Sequence, residues 1–275
     1  MQKYKTDWYL YYLINVTLII LVSFPIYWAF VSSIKPPDEL ITNTPTLFPI
    51  NPTFESYERI WNLEPTSSRG NVRSAFTNSA IVSIGTVVVS AVISTLAAYA
   101  LTILRTPFRH FIFLLIIMPI LIPGISLLIP LYKLVKELGL MNSYLGLILI
   151  HSTGMLTLGV FLMRNAFMSI PTSLREVALL EGSSELRIMF TVMLPLAIPG
   201  LLTLMVFALY GSWNDFILAF LFVNTIDMEM LNVFLMKLTF SGSQFDTFWG
   251  LLNAGAIISF VPIIIFYIFL QQYFV

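Results

Sequence analysis

The 275 residues contain no cysteine. A disulfide framework and a cysteine-ligated metal or redox centre are therefore excluded. Charge is scarce as well: Asp, Glu, Lys and Arg make up 10% of the chain, against about 25% in an ordinary soluble domain. Fourteen basic residues balance fourteen acidic ones, for a formal net charge of +0. That balance gives no electrostatic footprint for nucleic acid. Histidine occurs only at His110 and His151. Neither stands in a metal-ligand or catalytic pattern, and both read as interfacial or packing side chains near helix ends. No Gly-x-x-x-x-Gly-Lys-Ser/Thr stretch exists to cradle a nucleotide. Ser126 lacks the Gly-x-Ser-x-Gly context of a serine nucleophile, and no paired aspartates mark a metal site. The expectation is a non-catalytic chain that binds neither metal nor cofactor itself.

What is present is apolar. Hydrophobic residues reach 58% and aromatics 15%, and mean hydropathy is +0.89, so the solvent for this chain is a bilayer. A spanning helix needs about 20 mostly apolar residues. Six stretches qualify: Tyr9–Val31, Ser74–Leu104, Phe111–Leu134, Ser143–Met163, Gly200–Val223 and Gly250–Tyr273. The predicted fold is an all-α integral membrane protein built as one domain. The first run is too long for the core of a cleavable signal and reads as a retained anchor, with aromatic belts at Trp8, Tyr9, Tyr11 and Tyr12 and at Tyr27 and Trp28. The second is peppered with small residues (Ala75, Ser79, Gly85, Ser90, Ser94, Ala97, Ala98) that let helix backbones approach closely. The third carries Pro119, Pro123, Gly124 and Pro130. A broken helix survives in a membrane only where protein or a water-filled cavity satisfies the freed backbone groups, so it reads either as pore-lining or as a kinked packing helix.

An even number of spans puts both termini on one side. With the N-terminus inside, the basic residues divide seven to seven, so the raw count is silent. Arg105 and Arg109 share a very short loop, which favours a cytoplasmic N-terminus. The loop Ser32–Arg73 then lies outside. It is proline-rich and expected to be extended, with Phe54–Trp61 as a short surface helix.

Two segments put polarity where an apolar chain least tolerates it. "YGSWNDFILAF" places Tyr210, Trp213, Asn214 and Asp215 in the fifth span. An acid at bilayer centre costs about 2.5–3.5 kcal/mol on insertion scales, which makes function the default reading; a structural hydrogen bond between helices is the alternative. "IPTSLREVALLEG" opens with Pro171. Ser173 and Glu176 are spaced as a capping box, and a helix of about eight residues follows before Gly182, suited to a left-handed C-terminal cap. Ser183 or Ser184 can cap a second helix with Glu185 in its first turn. Pro195 and Pro199 then bend the chain into the fifth span. The segment reads either as a lever pressed from outside the membrane or as an amphipathic connector.

Glu176, Ala178, Gly182, Leu194 and Pro195 resemble the EAA loop of ATP-binding-cassette importer permeases: Glu-Ala-Ala, three residues, Gly, nine residues, Ile-x-Leu-Pro. Every spacing is kept, with Val177, Glu181, Ser183 and Val192 as mild departures. "FPIYWAFVSSIKP", "LGLMNSYLGLIL", "WNDFILA" and "LQQYFV" extend the resemblance to the carbohydrate-uptake, maltose-transporter-type branch. That resemblance implies a type I importer permease with six spans, multi-pass in a bacterial or archaeal plasma (inner) membrane, both termini cytoplasmic, and 166–199 as the cytoplasmic coupling loop. It implies a second, different permease, two ATPase subunits holding ATP and magnesium, an extracytoplasmic solute-binding protein and a sugar as substrate. It places Leu174–Glu181 as the coupling helix. Ser173, Leu174, Arg175, Glu176, Val177, Ala178, Glu181, Gly182 and Pro195 then serve ATPase coupling: Leu174, Val177 and Ala178 enter a groove, and Arg175, Glu176 and Glu181 pair at its rim. It sets Tyr210, Trp213, Asn214 and Asp215 on the translocation path, and Ser241, Gly242, Ser243 and Gln244 against the binding protein. An ion-coupled secondary transporter or a channel is the alternative class.

Overall fold

The computed structural model describes residues 2–42, 44–66, 68–104, 106–240 and 245–273. In chain order the main helices are α1 (Gln2–Ser33), α2 (Glu55–Trp61), α3 (Val72–Thr102), α4 (Arg109–Ile117), α5 (Leu128–Glu137), α6 (Tyr144–Met168), α7 (Thr172–Leu180), α8 (Glu185–Ile188), α9 (Ile198–Trp213), α10 (Ile217–Phe222), α11 (Leu231–Phe240) and α12 (Phe245–Leu270). No strand interrupts them among the described residues.

Four continuous helices are long and apolar enough to cross a membrane: Trp8–Ser33, Val72–Thr102, Tyr144–Met168 and Trp249–Phe269. Two bent pairs raise the number to six where each counts as one span: Arg109–Leu121 with Gly124–Glu137 at 96°, and Glu185–Leu196 with Ile198–Trp213 at 80°. Both breaks fall where the sequence puts proline. Pro119 and Pro123 flank the first, and each removes a backbone donor and fixes φ. Pro195 and Pro199 flank the second, at Ala197. The fifth span differs from its expected bounds, Gly200–Val223. Its helix stops at Trp213 and restarts at Ile217. Asn214 turns its side-chain amide back onto the Tyr210 carbonyl at 3.0 Å, and the Asp215 carboxylate accepts from the first turn of the helix that restarts at Ile217.

The chain packs as two compact units, residues 1–73 with 234–261, and 74–233 with 262–275. In the first, α1 is exposed from Trp8 to Ile26 except at Asn15, as a helix facing lipid is, and buried at its end, Val31–Ser33. The proline-rich loop is irregular apart from α2 and a single turn at Pro37–Leu40. Glu39 ties it together by accepting from the backbone N–H groups of Ile50 (2.9 Å) and Asn51 (2.8 Å). Lys35 is buried: its ammonium donates to the Thr46 carbonyl and lies 4.9 Å from the centre of the Trp28 ring. α2 docks through Ile60, whose Cδ1 would stand 3.0 Å from a Cβ on Gly255 of α12.

In the second unit, α3, α6, α8 and α9 surround one apolar core built on Tyr99, Val160, Met163, Phe167, Met189, Met193 and Leu204. A second core joins Val82, Val135, Leu147, Ala219 and Phe222. The small residues act as expected. A Cβ on Gly159 of α6 would collide with Ser94 of α3, so the two helices meet nearly backbone to backbone.

Candidate functional site

The stretch from Pro171 to Gly200 builds the first candidate site. α7 starts at Thr172, two residues earlier than the capping box requires. Pro171 (φ −59°, ψ 129°) occupies the flanking position, and no side chain caps the helix. Ser173 therefore lies inside the first turn, and the Ser173–Glu176 box does not form. A proline in that place supplies a carbonyl for Leu174 N–H at 3.3 Å but no side-chain acceptor. The C-terminus follows expectation. Gly182 has φ +83°, Ser183 N–H reaches the Ala178 carbonyl and Gly182 N–H the Leu179 carbonyl, both at 3.0 Å. This is a Schellman closure. Ser184 then caps α8, accepting from Arg187 N–H at 3.4 Å.

Arg175 does not reach outward to a rim. It forks onto Glu185: Nε donates to Oε2 at 3.2 Å and Nη2 donates to Oε1. The Tyr99 hydroxyl of α3 donates to the same Oε2 at 3.0 Å. Glu185 is thereby held below the usual carboxylate range, chiefly by the Arg175 hydrogen bonds, and Arg175 is raised by the same contact. The Tyr99 ring stands edge-on to Phe167 of α6, 5.5 Å between centroids. The forked ion pair thus joins α7 to α8, and the Tyr99 phenol fastens Glu185 to α3, where its ring packs on α6. Ala178 also turns inward, 9% exposed, and packs in this chain's own apolar core. Leu174, Val177, Leu179 and Leu180 are the apolar side chains left outside, at 43%, 54%, 39% and 89% exposure. Glu176 and Glu181 are exposed beside them. After α8 comes one π-helical turn, Met189–Met193, then Leu194–Leu196 with Pro195, then the bend at Ala197.

The second candidate site is the break between α9 and α10, and it splits the four predicted residues. Tyr210 and Asn214 are exposed. Trp213 is buried with its ring edge-on to Phe76 at 5.4 Å. Asp215 is mostly buried, and its carboxylate caps α10: Oδ1 accepts from Leu218 N–H at 3.2 Å and Oδ2 from Ala219 N–H at 2.8 Å. An acid in an apolar span is here the acceptor that lets a helix restart. Oδ2 also lies 3.8 Å from Nε2 of His151, on α6. His151 is thus buried beside a carboxylate and well inside its helix, not near a helix end. Asn232 braces the break from outside, its amide donating to the Trp213 carbonyl (3.0 Å) and the Asp215 carbonyl (3.3 Å). The far end of α10 is pinned by Asn142, which has φ +53°. Its N–H donates to the Phe222 carbonyl at 3.0 Å, and its Oδ1 accepts from Asn224 N–H at 2.6 Å.

Sequence reasoning missed Tyr99, His151, Asn142 and Asn232 because each acts on a partner dozens of residues away or on a backbone break that periodicity does not reveal. Leu180 carried a signal: its position after Val177 continues the apolar face. Ser241, Gly242, Ser243 and Gln244 lie outside the described residues, as does Arg105. Among the described residues no group of three or more His, Asp or Glu side chains could hold a metal ion.

Residues 90–275 match the family model described as "binding-protein-dependent transport system inner membrane component". A probable starch degradation products transport system permease from Thermoanaerobacterium thermosulfurigenes is 32% identical, over 99% of this chain and 95% of that protein. An arabinooligosaccharides transport system permease from Halalkalibacterium halodurans is also 32% identical, over 92% of this chain and 88% of that one. The crystal structure of a bacterial transporter that imports the acidic polysaccharide alginate contains a chain that superimposes with a TM-score of 0.88 at 22% identity, over 100% of this chain and 99% of that one. That likeness is one of fold.

Proposed function

The chain belongs to the inner-membrane components of binding-protein-dependent transport systems, and from that membership we propose that it is the permease subunit of an ATP-driven sugar importer. It is a multi-pass membrane subunit without catalysis of its own; ATP is hydrolysed on separate subunits. Membership sets aside the ion-coupled transporter or channel. The sugar rests on relatives such as those for starch products and arabinooligosaccharides. The proposed assembly adds a second, different permease, two ATPase subunits with ATP and magnesium, and an extracytoplasmic solute-binding protein. Both termini face the cytoplasm.

One observation carries the mechanical part of this reading: α7 is a short helix closed at Gly182, fastened by Arg175 to Glu185, with Leu174, Val177 and Leu180 uncovered. An apolar face of that kind needs a cover, and a groove on an ATPase subunit supplies it, with Glu176 and Glu181 at the rim. Movement of the groove passes through the loop to Pro195 and α9. At the other end of α9, Tyr210 and Asn214 offer a phenol and an amide to sugar hydroxyls, and an aromatic face to the ring. The test is reconstitution of this chain with its co-encoded permease, ATPases and binding protein in vesicles. Uptake of labelled oligosaccharide that requires ATP and the binding protein is the expected result. Uptake driven by an ion gradient without ATP would end the reading.

A further inference from the structure

Two ionisable side chains meet in the membrane region: His151 on α6 and Asp215 at the start of α10, with 3.8 Å between Nε2 and Oδ2 and side chains 9% and 14% exposed. Polar groups so placed are costly and call for a role. Asp215 is only partly accounted for by the two N–H groups it caps. The contact with His151 is longer than a hydrogen bond and links two different elements, one continuous and one broken.

The continuity of α6 gives the contact its meaning. The helix runs unbroken from Tyr144 to Met168, whereas the pairs on either side of it in sequence bend by 96° and 80°. From His151 to Met168 it covers about 25 Å at about 1.5 Å per residue. Only Ser169, Ile170 and Pro171 then separate it from α7. A displacement of α7 therefore reaches His151 along one stiff rod. The route through Pro195 instead crosses a π turn and the bend at Ala197.

We propose that His151 is the positioning residue through which α6 sets the geometry of the α9–α10 break. Its Nε2 faces the Asp215 carboxylate at 3.8 Å; Asp215 holds the first turn of α10; Asn232 holds the backbone of Trp213 and Asp215 on the other side. A shift of α6 makes or loosens the His151–Asp215 contact and so re-aims the exposed pair Tyr210 and Asn214. The inference rests on α7 being the element that the ATPases move.

The experiment uses the full importer in vesicles and reads sugar molecules transported per ATP hydrolysed, for wild type, His151→Gln, His151→Phe and Asp215→Asn. His151→Phe keeps a ring of similar size but donates nothing. The expected result is a transport-to-hydrolysis ratio lowered about tenfold, within the range of an allosteric coupling energy. His151→Gln keeps a donor and is expected to recover most of that loss. A wild-type ratio in His151→Phe overturns the proposal. Equal impairment of the Phe and Gln variants also overturns it, by assigning His151 to packing. If His151→Phe fails to assemble, Asp215→Asn decides: a reduced ratio supports the proposal and a wild-type ratio overturns it. A wild-type complex that shows no ATP-driven uptake defeats the importer reading instead, so the two failures are told apart.

Discussion

Arg175 and Glu185 join two consecutive helices across the Gly182 turn, and Tyr99 of α3 shares the same carboxylate oxygen. The relationship makes the loop a braced part of the membrane unit. Arg175→Ala is expected to leave membrane insertion unchanged while α7 becomes more accessible to protease. Such half-exposed pairs contribute only about 0–1 kcal/mol, so the effect belongs in local protection and in ATPase association, not in overall melting. Because Glu185 is held below its ordinary pKa, the brace is present above the unfolded carboxylate value and is lost as pH falls through the lowered one. ATPase association measured by co-purification is expected to weaken on that acid side. Association unchanged by both Arg175→Ala and acid would refute the brace.

Gly182 tests backbone and surroundings separately. A Cβ there meets nothing within 4 Å, but φ is +83°. The penalty of Gly182→Val is therefore conformational, about 1–2 kcal/mol for a residue forced left-handed, and larger for a β-branched one. We expect normal insertion with reduced ATPase binding. Gly182→Asn, which tolerates that backbone, should retain most of the binding. If Val and Asn bind ATPase equally well, the turn is not critical.

Glu176→Lys reverses an exposed charge that makes no capping bond. Loss of ATPase binding would then report on the partner directly. Wild-type binding and transport in this variant would leave α7 as a connector.

The break residues should divide by burial. Tyr210→Ala and Asn214→Ala, both on exposed side chains, are expected to raise the KM for sugar with the protein fully expressed. Trp213→Ala removes a buried ring and should cost about 3–5 kcal/mol of stability, read as loss of protein in detergent extracts. Matching KM values in wild type and in the Tyr210 and Asn214 variants would remove those two from the path.

Topology can be checked directly, since no native cysteine competes for label. A cysteine replacing Phe48, an exposed residue of the proline-rich loop, should react with an impermeant maleimide from outside intact cells. Reaction from the cytoplasmic side alone would invert the proposed orientation.

Much of this was legible in the sequence, for identifiable reasons. Apolar runs long enough to span a bilayer announce themselves, and so do prolines that break them. Gly182 was readable because a left-handed residue favours glycine. The capping box was not, because Pro171 competed for the same flank and the helix began two residues earlier. Ala178 satisfied helical spacing for an outward face, yet spacing does not say which side a neighbouring helix covers. Asp215 was visible as an anomaly; its work as a helix cap depends on a chain break that no periodicity encodes.

The π turn at Met189–Met193 has a consequence for how such sequences vary. A π turn stores one residue more than the α turn that would fill nearly the same height. The interval between Gly182 and Pro195 therefore counts a residue that adds almost no reach. Deleting one residue from Met189–Met193 could be absorbed by tightening to α geometry, whereas deleting one from α7 would rotate its apolar face by about 100°. Two stretches that look equally constrained in the alphabet of the sequence thus differ in their tolerance of a lost codon.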